Sequence, residues 1–208
     1  NEPQNPRNEP SMVMTAAEQA DFIKNHLGPE LRRAELDTEI LCWDHNCDGI
    51  DFPLAVLADE GARAYTSGVA WHLYNGTPDA MSYVRDRYPD KKVYFTEQWV
   101  SAREDFMSAL RWHTRNVIIG ALRNWSRTAM EWNLASDPEY SLHSKLGAVN
   151  SLGGITIALS SLPPLVRNPG YYLMAHSAKY IRPGSTRIHS TEPERLINVA
   201  CLTPDRQL

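Results

Sequence analysis

The sequence has little of several features that would point to particular classes of protein. Its three cysteines are an odd number in 208 residues, which argues against a complete disulfide framework. A net charge of -4 and a pI near 6.0 do not provide the basic face that nucleic-acid binding requires. The longest apolar run, from Val117 to Leu122, is too short to span a membrane. We therefore expect no nucleic-acid partner and no transmembrane segment.

Metal-binding patterns are also weak. Cys42 and Cys47 flank an Asp-His pair, but their four-residue gap is not a common zinc spacing and no second pair follows. Residues 44–49 fit the first six positions of a calcium-binding EF-hand loop, yet its twelfth position, which should be a bidentate Glu, is Ala55. The segment before this loop also has the composition of a strand rather than a helix.

Strand and helix signals alternate along most of the chain. Strand-forming runs begin at Thr38, Gly68, Lys91 and Thr128, and each interval has the length of a strand–loop–helix–loop unit. Such repeats predict an α/β fold with a parallel sheet, either an open doubly wound sheet or a closed barrel. No Gly-x-Gly-x-x-Gly motif follows any of these strands, which disfavours a dinucleotide-binding fold.

Local signals place the helices. Thr15 and Glu18 form a capping box that should begin a helix, and Gly28-Pro29 predicts a break or bend in it. Pro53 suits the first turn of the next helix. A long helix with an inward-facing stripe is predicted from the spacing of Phe106, Leu110, His113, Val117 and Ala121. On this stripe the histidine is expected to be a satisfied core residue.

All four predicted strands end in polar and aromatic residues. These endings are Trp43-Asp44-His45, His72 with Tyr74, Glu97-Gln98-Trp99, and Trp132-Asn133. In a barrel of parallel strands the carboxyl ends meet at one mouth, which holds the active site. The pattern therefore favours a barrel over an open sheet, and it makes His72 a candidate pocket residue.

Two carboxylates are candidates for catalysis. Glu97 follows the strand run that begins at Lys91, and Glu2 lies at the start of the chain. Two carboxylates can split a glycosidic bond: one protonates the leaving oxygen, and the other attacks the anomeric carbon or activates water, according to their separation. The plain alternative is that both are solvated surface groups.

A set of motifs resembles one family in content and order. They are Asn1-Glu2-Pro3, Pro10-Ser11-Met12, Trp43-Asp44-His45-Asn46, Gly68 to Tyr74, Phe95-Thr96-Glu97, Glu131 to Ala135, and His176 to Ser185. Together they resemble glycoside hydrolase family 30, which includes the glucosylceramidases and the β-1,6-glucanases. The similarity covers nearly the whole chain.

The resemblance implies a (β/α)8 TIM barrel joined to a β-sandwich. Residues 1–185 would be the C-terminal part of the catalytic barrel, and residues 186–208 the beginning of the sandwich. The chain starts at Asn1 rather than Met, and its final strand signal, at Asn198 to Leu202, breaks off at once. We therefore expect a piece of a longer protein, with the first barrel strands upstream.

The resemblance also assigns roles to individual residues. Glu2 matches the general acid/base and Glu97 the nucleophile. Asn1 matches the residue that bonds the sugar 2-hydroxyl, and Tyr74 a tyrosine that hydrogen-bonds the nucleophile. By resemblance or by position at a strand end, the other expected substrate-binding residues are Asp44, His45, His72, Trp99, Trp132 and Asn133.

The implied activity is hydrolysis of β-glucosidic bonds with retention. A glucosylceramidase-like enzyme of sphingolipid metabolism, acting on a β-glucoside or glycolipid, is the first expectation, and an endo-β-1,6-glucanase the second. The alternative from another class is an incomplete fragment that only binds carbohydrate or calcium. No cofactor or metal is implied, because carboxylates supply acid, base and nucleophile. Family analogy predicts a secreted, periplasmic or lysosome-like location.

Overall fold

The computed structural model describes residues 1–7, 11–193 and 195–207 and divides into two compact units. The first unit comprises residues 1–96 and 124–128, and the second comprises residues 97–123 and 129–208. Pro10 of the predicted Pro10-Ser11-Met12 motif lies outside the described residues. Within the described ranges, no helix has the length and apolar character needed to cross a membrane.

The elements alternate between helix and strand up to residue 97. They are α1 (Ala16–Phe22), a wide π-helical turn (Ile23–Leu27), α2 (Gly28–Arg33), β1 (Ile40–Asn46), α3 (Asp51–Ala58), α4 (Glu60–Tyr65), β2 (Thr66–His72), α5 (Asp79–Arg87) and β3 (Lys92–Glu97). The remaining elements are β4 (Val100–Ser101), α6 (Phe106–His113), a second π-helical turn (Thr114–Gly120), α7 (Ala121–Arg123), β5 (Ser126–Ala129), β6 (Ala135–Ser136), β7 (Ser151–Leu152), β8 (Ile155–Ile157), β9 (Leu165–Arg167), α8 (Pro169–Tyr180), β10 (Thr186–Ile188) and β11 (Ala200–Leu202).

The largest sheet has four strands in the order β1-β2-β3-β5, and β1 pairs with β2 in parallel. Strands in chain order with helices between them are the arrangement of a partial (β/α) barrel, as predicted. The fourth predicted strand is wrong in its extent, however. It was expected from Thr128 to Leu134, but β5 ends at Ala129, so Trp132 and Asn133 lie beyond it.

The core of the first unit lies between the sheet and its helices. Trp71 and Phe95 on the strands and Val56 and Leu57 on α3 are fully buried, and each such side chain contributes about 1.5–3 kcal/mol relative to exposure. Gly68 permits a close approach within the sheet. A Cβ at this position would lie 2.3 Å from the Lys92 carbonyl oxygen, so only glycine fits there.

The first helix begins as predicted but continues further than expected. Thr15 and Glu18 form the complete capping box of α1. Gly28-Pro29 was predicted to be a break or bend, and no break occurs there, because a π-helical turn carries the helix into α2 and the Ile23 carbonyl accepts the Gly28 N–H. Pro29 then occupies the first turn of α2, where its missing N–H and fixed φ are tolerated.

The second unit has its own buried polar centre. His113 on α6 is buried, as predicted for a core histidine, and its Nδ1 lies 2.6 Å from Glu131 Oε1. Burial raises the pKa of the Glu131 carboxyl, and the hydrogen bond with His113 opposes this. Arg123 donates to the Asn198 carbonyl at 2.8 Å, which ties the segment between β10 and β11 to α7. These two strands form an antiparallel pair, and their assignment to a β-sandwich stays a prediction.

Candidate active site

A bulge in β1 builds the first part of the site. Trp43 pairs with Ala70 and His45 with Trp71, so Asp44 is an extra residue without a partner in the register. Trp43 and Asp44 have φ values of 74° and 57°, in the left-handed region that costs a non-glycine residue about 1–3 kcal/mol. The Trp43 indole is buried and donates to the Asn46 carbonyl at 3.1 Å, which holds this backbone in place.

His72, the last residue of β2, links two carboxylates. Its side chain is 1% exposed, its Nε2 lies 3.1 Å from Asp44 Oδ1, and its Nδ1 lies 3.3 Å from Glu2 Oε1. Asp44 also accepts a hydrogen bond from the Thr96 hydroxyl at 2.7 Å. Burial acts to raise the pKa of Asp44, but the hydrogen bonds from His72 and Thr96 outweigh it and lower that pKa. Asp44 is therefore ionised at neutral pH.

This geometry fixes where protons lie. Because Asp44 is ionised, His72 Nε2 carries a hydrogen and donates it to Asp44. A hydrogen bond between His72 Nδ1 and Glu2 Oε1 then requires one more proton, carried either by the ring or by Glu2. In the second arrangement Glu2 is protonated, which is the form that a general acid needs.

Glu2 is itself buried, and hydrogen bonds of its backbone and side chain hold it in place. Glu2 is 4% exposed, its backbone N–H donates to the Asp44 carbonyl at 2.9 Å, and Asn5 Nδ2 donates to its Oε2 at 2.7 Å. Neither Asn5 nor Thr96 was predicted as a site residue. The only signal for Asn5 is its position three residues after Glu2, in a turn where Asn5 N–H also donates to the Glu2 carbonyl.

The remaining predicted residues of the first unit also gather here. His45 Nδ1 lies 3.7 Å from Glu2 Oε1, and burial lowers the pKa of this ring while Glu2 opposes the shift. The Tyr74 ring meets His72 edge-on at 6.0 Å. The Asn1 backbone nitrogen is 3.8 Å from Asp44 Oδ2. The structure thus brings together all six predicted site residues of this unit.

The second unit holds the other four predicted residues. Glu97 is the half-buried last residue of β3, and Gln98 accepts the Trp99 N–H through its side chain at 2.8 Å. Trp99 and Trp132 form a parallel bridge, and Trp132 is 54% exposed, so its indole offers a flat apolar face. Asn133 Oδ1 is buried and has no hydrogen-bond partner within the described ranges.

The two metal patterns noted in the sequence do not form the corresponding sites. Burial raises the pKa of the Cys42 and Cys47 thiols to about 12, and among the described residues neither thiol belongs to a group of three possible metal ligands. An EF-hand has its first helix just before the loop, but here residues 40–43 belong to strand β1, which continues to Asn46.

A partial (β/α) barrel with a buried, hydrogen-bonded carboxyl at its strand ends has the architecture of a barrel glycosidase. Residues 4–181 match the glycosyl hydrolase family 30 TIM-barrel domain. The chain therefore belongs to glycosyl hydrolase family 30, a family of glycosidases, which confirms the resemblance seen in the motifs.

Named relatives support the same family. An endo-1,6-beta-D-glucanase of Neurospora crassa is 31% identical over 92% of this chain and 40% of its own length. The lysosomal acid glucosylceramidase of Mus musculus is 26% identical over 92% of this chain and 39% of its own length. A solved endo-beta1,6-glucanase superimposes with a TM-score of 0.91 at 29% identity, over 99% of this chain and 48% of that one. The chain thus spans less than half the length of these relatives.

Proposed function

We propose that the full-length protein is a retaining glycosidase for β-glucosidic bonds, with Glu2 as general acid/base and Glu97 as nucleophile. The observation that carries this proposal is the environment of Glu2. Its carboxyl is buried, one oxygen takes a hydrogen bond from Asn5, and the other lies at hydrogen-bond distance, 3.3 Å, from His72 Nδ1. Membership of family 30 supports the reaction class.

The proposed reaction has two steps. First, protonated Glu2 gives its proton to the glycosidic oxygen while the Glu97 carboxylate attacks the anomeric carbon; the glycosidic bond breaks and the sugar remains as an ester of Glu97. Second, the Glu2 carboxylate takes a proton from water, whose oxygen attacks the same carbon and releases Glu97. Glu2 therefore changes charge twice per turnover, and His72 and Asn5 are placed to stabilise its ionised form.

We infer a β-1,6-glucan as the substrate and a glucosylceramide as the second candidate. The endo-1,6-glucanase of Neurospora crassa is more similar to this chain than the mouse glucosylceramidase, at 31% against 26% identity. This order is the reverse of the one expected from the motifs. The glucosylceramidase similarity keeps the glycolipid as a candidate, and a secreted or lysosome-like location stays a proposal of the same kind.

The test of mechanism is covalent labelling of the full-length protein with a 2-fluoro β-glucoside, which slows the second step. We expect one added sugar by intact mass, mapped to Glu97 by peptide analysis. Glu97→Gln should take no label, and Glu104→Gln, which changes an exposed glutamate, should label normally. A label on another residue, or full turnover by Glu97→Gln, would overturn the assignment.

The test of specificity compares release of reducing ends from linear β-1,6-glucan with release of glucose from glucosylceramide in detergent. We expect cleavage of the glucan into oligosaccharides at the higher kcat/KM. Faster release of glucose from the glycolipid would make the second candidate correct.

A further inference from the structure

We propose that Glu2, His45 and His72 form a binding site for a divalent transition-metal ion of the zinc type, and that metal bound there inhibits the enzyme. The binding part rests only on the geometry of these three residues. The inhibitory part rests on the proposed function, because it requires Glu2 to be the acid/base.

The spacing of the donor atoms fits a zinc ion. Glu2 Oε1 lies 3.3 Å from His72 Nδ1 and 3.7 Å from His45 Nδ1, and each of the three residues offers a ligand atom within 4.8 Å of those of the other two. Zinc bound tetrahedrally at its usual ligand distances separates its ligand atoms by about 3.3–3.4 Å. The first separation matches this value and the second is close to it, and the third, between the two histidine nitrogens, is within the 4.8 Å limit of the group.

The surroundings of these ligands are those of a supported metal site. A metal-ligating histidine usually donates its second ring N–H to a carboxylate, and His72 does so to Asp44 at 3.1 Å. The second oxygen of Glu2 is held by Asn5 at 2.7 Å. His45 Nδ1 is buried and has no hydrogen-bond partner among the described residues, so its lone pair is available to a metal.

The donor set selects the class of metal. Two imidazoles and one carboxylate suit zinc and its first-row neighbours, whereas calcium and magnesium prefer oxygen ligands. Three protein ligands leave a fourth position for water. The chemistry of glycoside cleavage has no need of this ion. A metal on Glu2 Oε1 would occupy the atom that shares a proton with His72, so Glu2 could not protonate a leaving group.

The first measurement is titration of the metal-free, full-length protein with Zn²⁺ by calorimetry, and with Co²⁺ by visible absorption. We expect one site, with a cobalt spectrum of low coordination number. His45→Gln, which removes one ligand and keeps a polar side chain, should bind Zn²⁺ at least about tenfold more weakly. His176→Gln, at an exposed histidine on α8, should bind like wild type. Equal affinity of the two variants would overturn the proposed site.

X-ray absorption at the zinc edge of the wild-type protein gives a test that needs no variant. We expect nitrogen and oxygen neighbours with two imidazoles and no sulfur. Sulfur among the neighbours of the ion would place it on a cysteine, away from the three proposed ligands, and would refute the proposal.

Activity measurements then separate the two parts of the proposal. We expect Zn²⁺ to inhibit turnover in parallel with occupancy, and a chelator to restore it. Binding at the site without inhibition would refute the inhibitory part alone. Failure of the 2-fluoro glucoside to label metal-free protein that still binds Co²⁺ would refute the proposed function and leave the metal site standing.

Discussion

Replacing His72 by Phe tests whether this residue acts through Glu2. The change keeps a flat ring of similar size in a position that is 1% exposed, and it removes the hydrogen bonds to Glu2 and Asp44. A hydrogen bond to a charged group contributes about 1.5–3 kcal/mol, so loss of the Glu2 bond alone should lower kcat/KM by about 10- to 150-fold.

The assay compares two substrates with the full-length protein. Cleavage of the natural glucoside needs protonation of its leaving oxygen, whereas an aryl glucoside with a strongly acidic phenol needs little. We expect the full loss for His72→Phe on the natural substrate and less than about a threefold loss on the activated one. Glu2→Gln should show the same contrast more strongly, and it serves as the reference for a lost acid.

Equal losses on the two substrates would refute the reasoning. They would show that His72 supports binding or folding in general and has no particular connection with proton transfer. A thermal unfolding curve for the variant shows whether the fold is retained, so that the activity loss is interpreted only if the variant is folded.

Four further predictions concern the free energy of unfolding and are measured by urea unfolding. Because the folded-state pKa of Asp44 is lowered, its carboxylate stabilises the fold fully above pH 3.8, and this stabilisation is lost as pH falls through the lowered value. The difference in free energy of unfolding between wild type and Asp44→Asn should therefore narrow in acid, and a constant difference would contradict this. His113→Ala removes the partner of the buried Glu131 and should lower the free energy of unfolding by about 3–5 kcal/mol, whereas Glu131→Gln should lower it by less than about 1 kcal/mol. Since burial raises the pKa of Glu131, the free energy of unfolding of the wild type should fall as pH rises above 4.5. Glu131→Gln should make this pH dependence weaker, and an unchanged pH dependence would contradict the raised pKa. Gly76→Ala should cost about 2–4 kcal/mol, because φ is 81° and a Cβ would lie 2.5 Å from the Cys47 carbonyl carbon; a neutral result would show that this turn can shift.

The sequence was most informative where local chemistry agrees with tertiary structure. The strand runs beginning near Thr38, Gly68 and Lys91 became β1, β2 and β3, because apolar residues there pack into one core. The Thr15 capping box began α1, since its hydrogen bonds form within four residues. The buried face predicted from helical spacing is confirmed for His113, Val117 and Ala121, but it is wrong for Phe106, which is 41% exposed at the first position of α6.

The misses have physical causes. Residues 130–134 look like a strand by composition, but Leu134 is 82% exposed and β5 ends before them, because that composition cannot show whether a sheet neighbour is present. The bulge at Asp44 depends on how β1 pairs with β2, and the sequence of β1 alone does not indicate that register. Asn5 acts through a turn, and turn-forming asparagines are common in loops.

The Glu2–His72 contact joins residues 70 positions apart, and the Thr96–Asp44 contact joins residues 52 apart. Closing such long loops costs entropy that local segments cannot recover, so contacts of this kind form only when most of the sheet is assembled. The proposed acid/base would thus become competent late in folding. Cleavage of a natural glucoside, which needs that proton donor, would then report only fully folded molecules, and partly folded ones would be silent in the same assay.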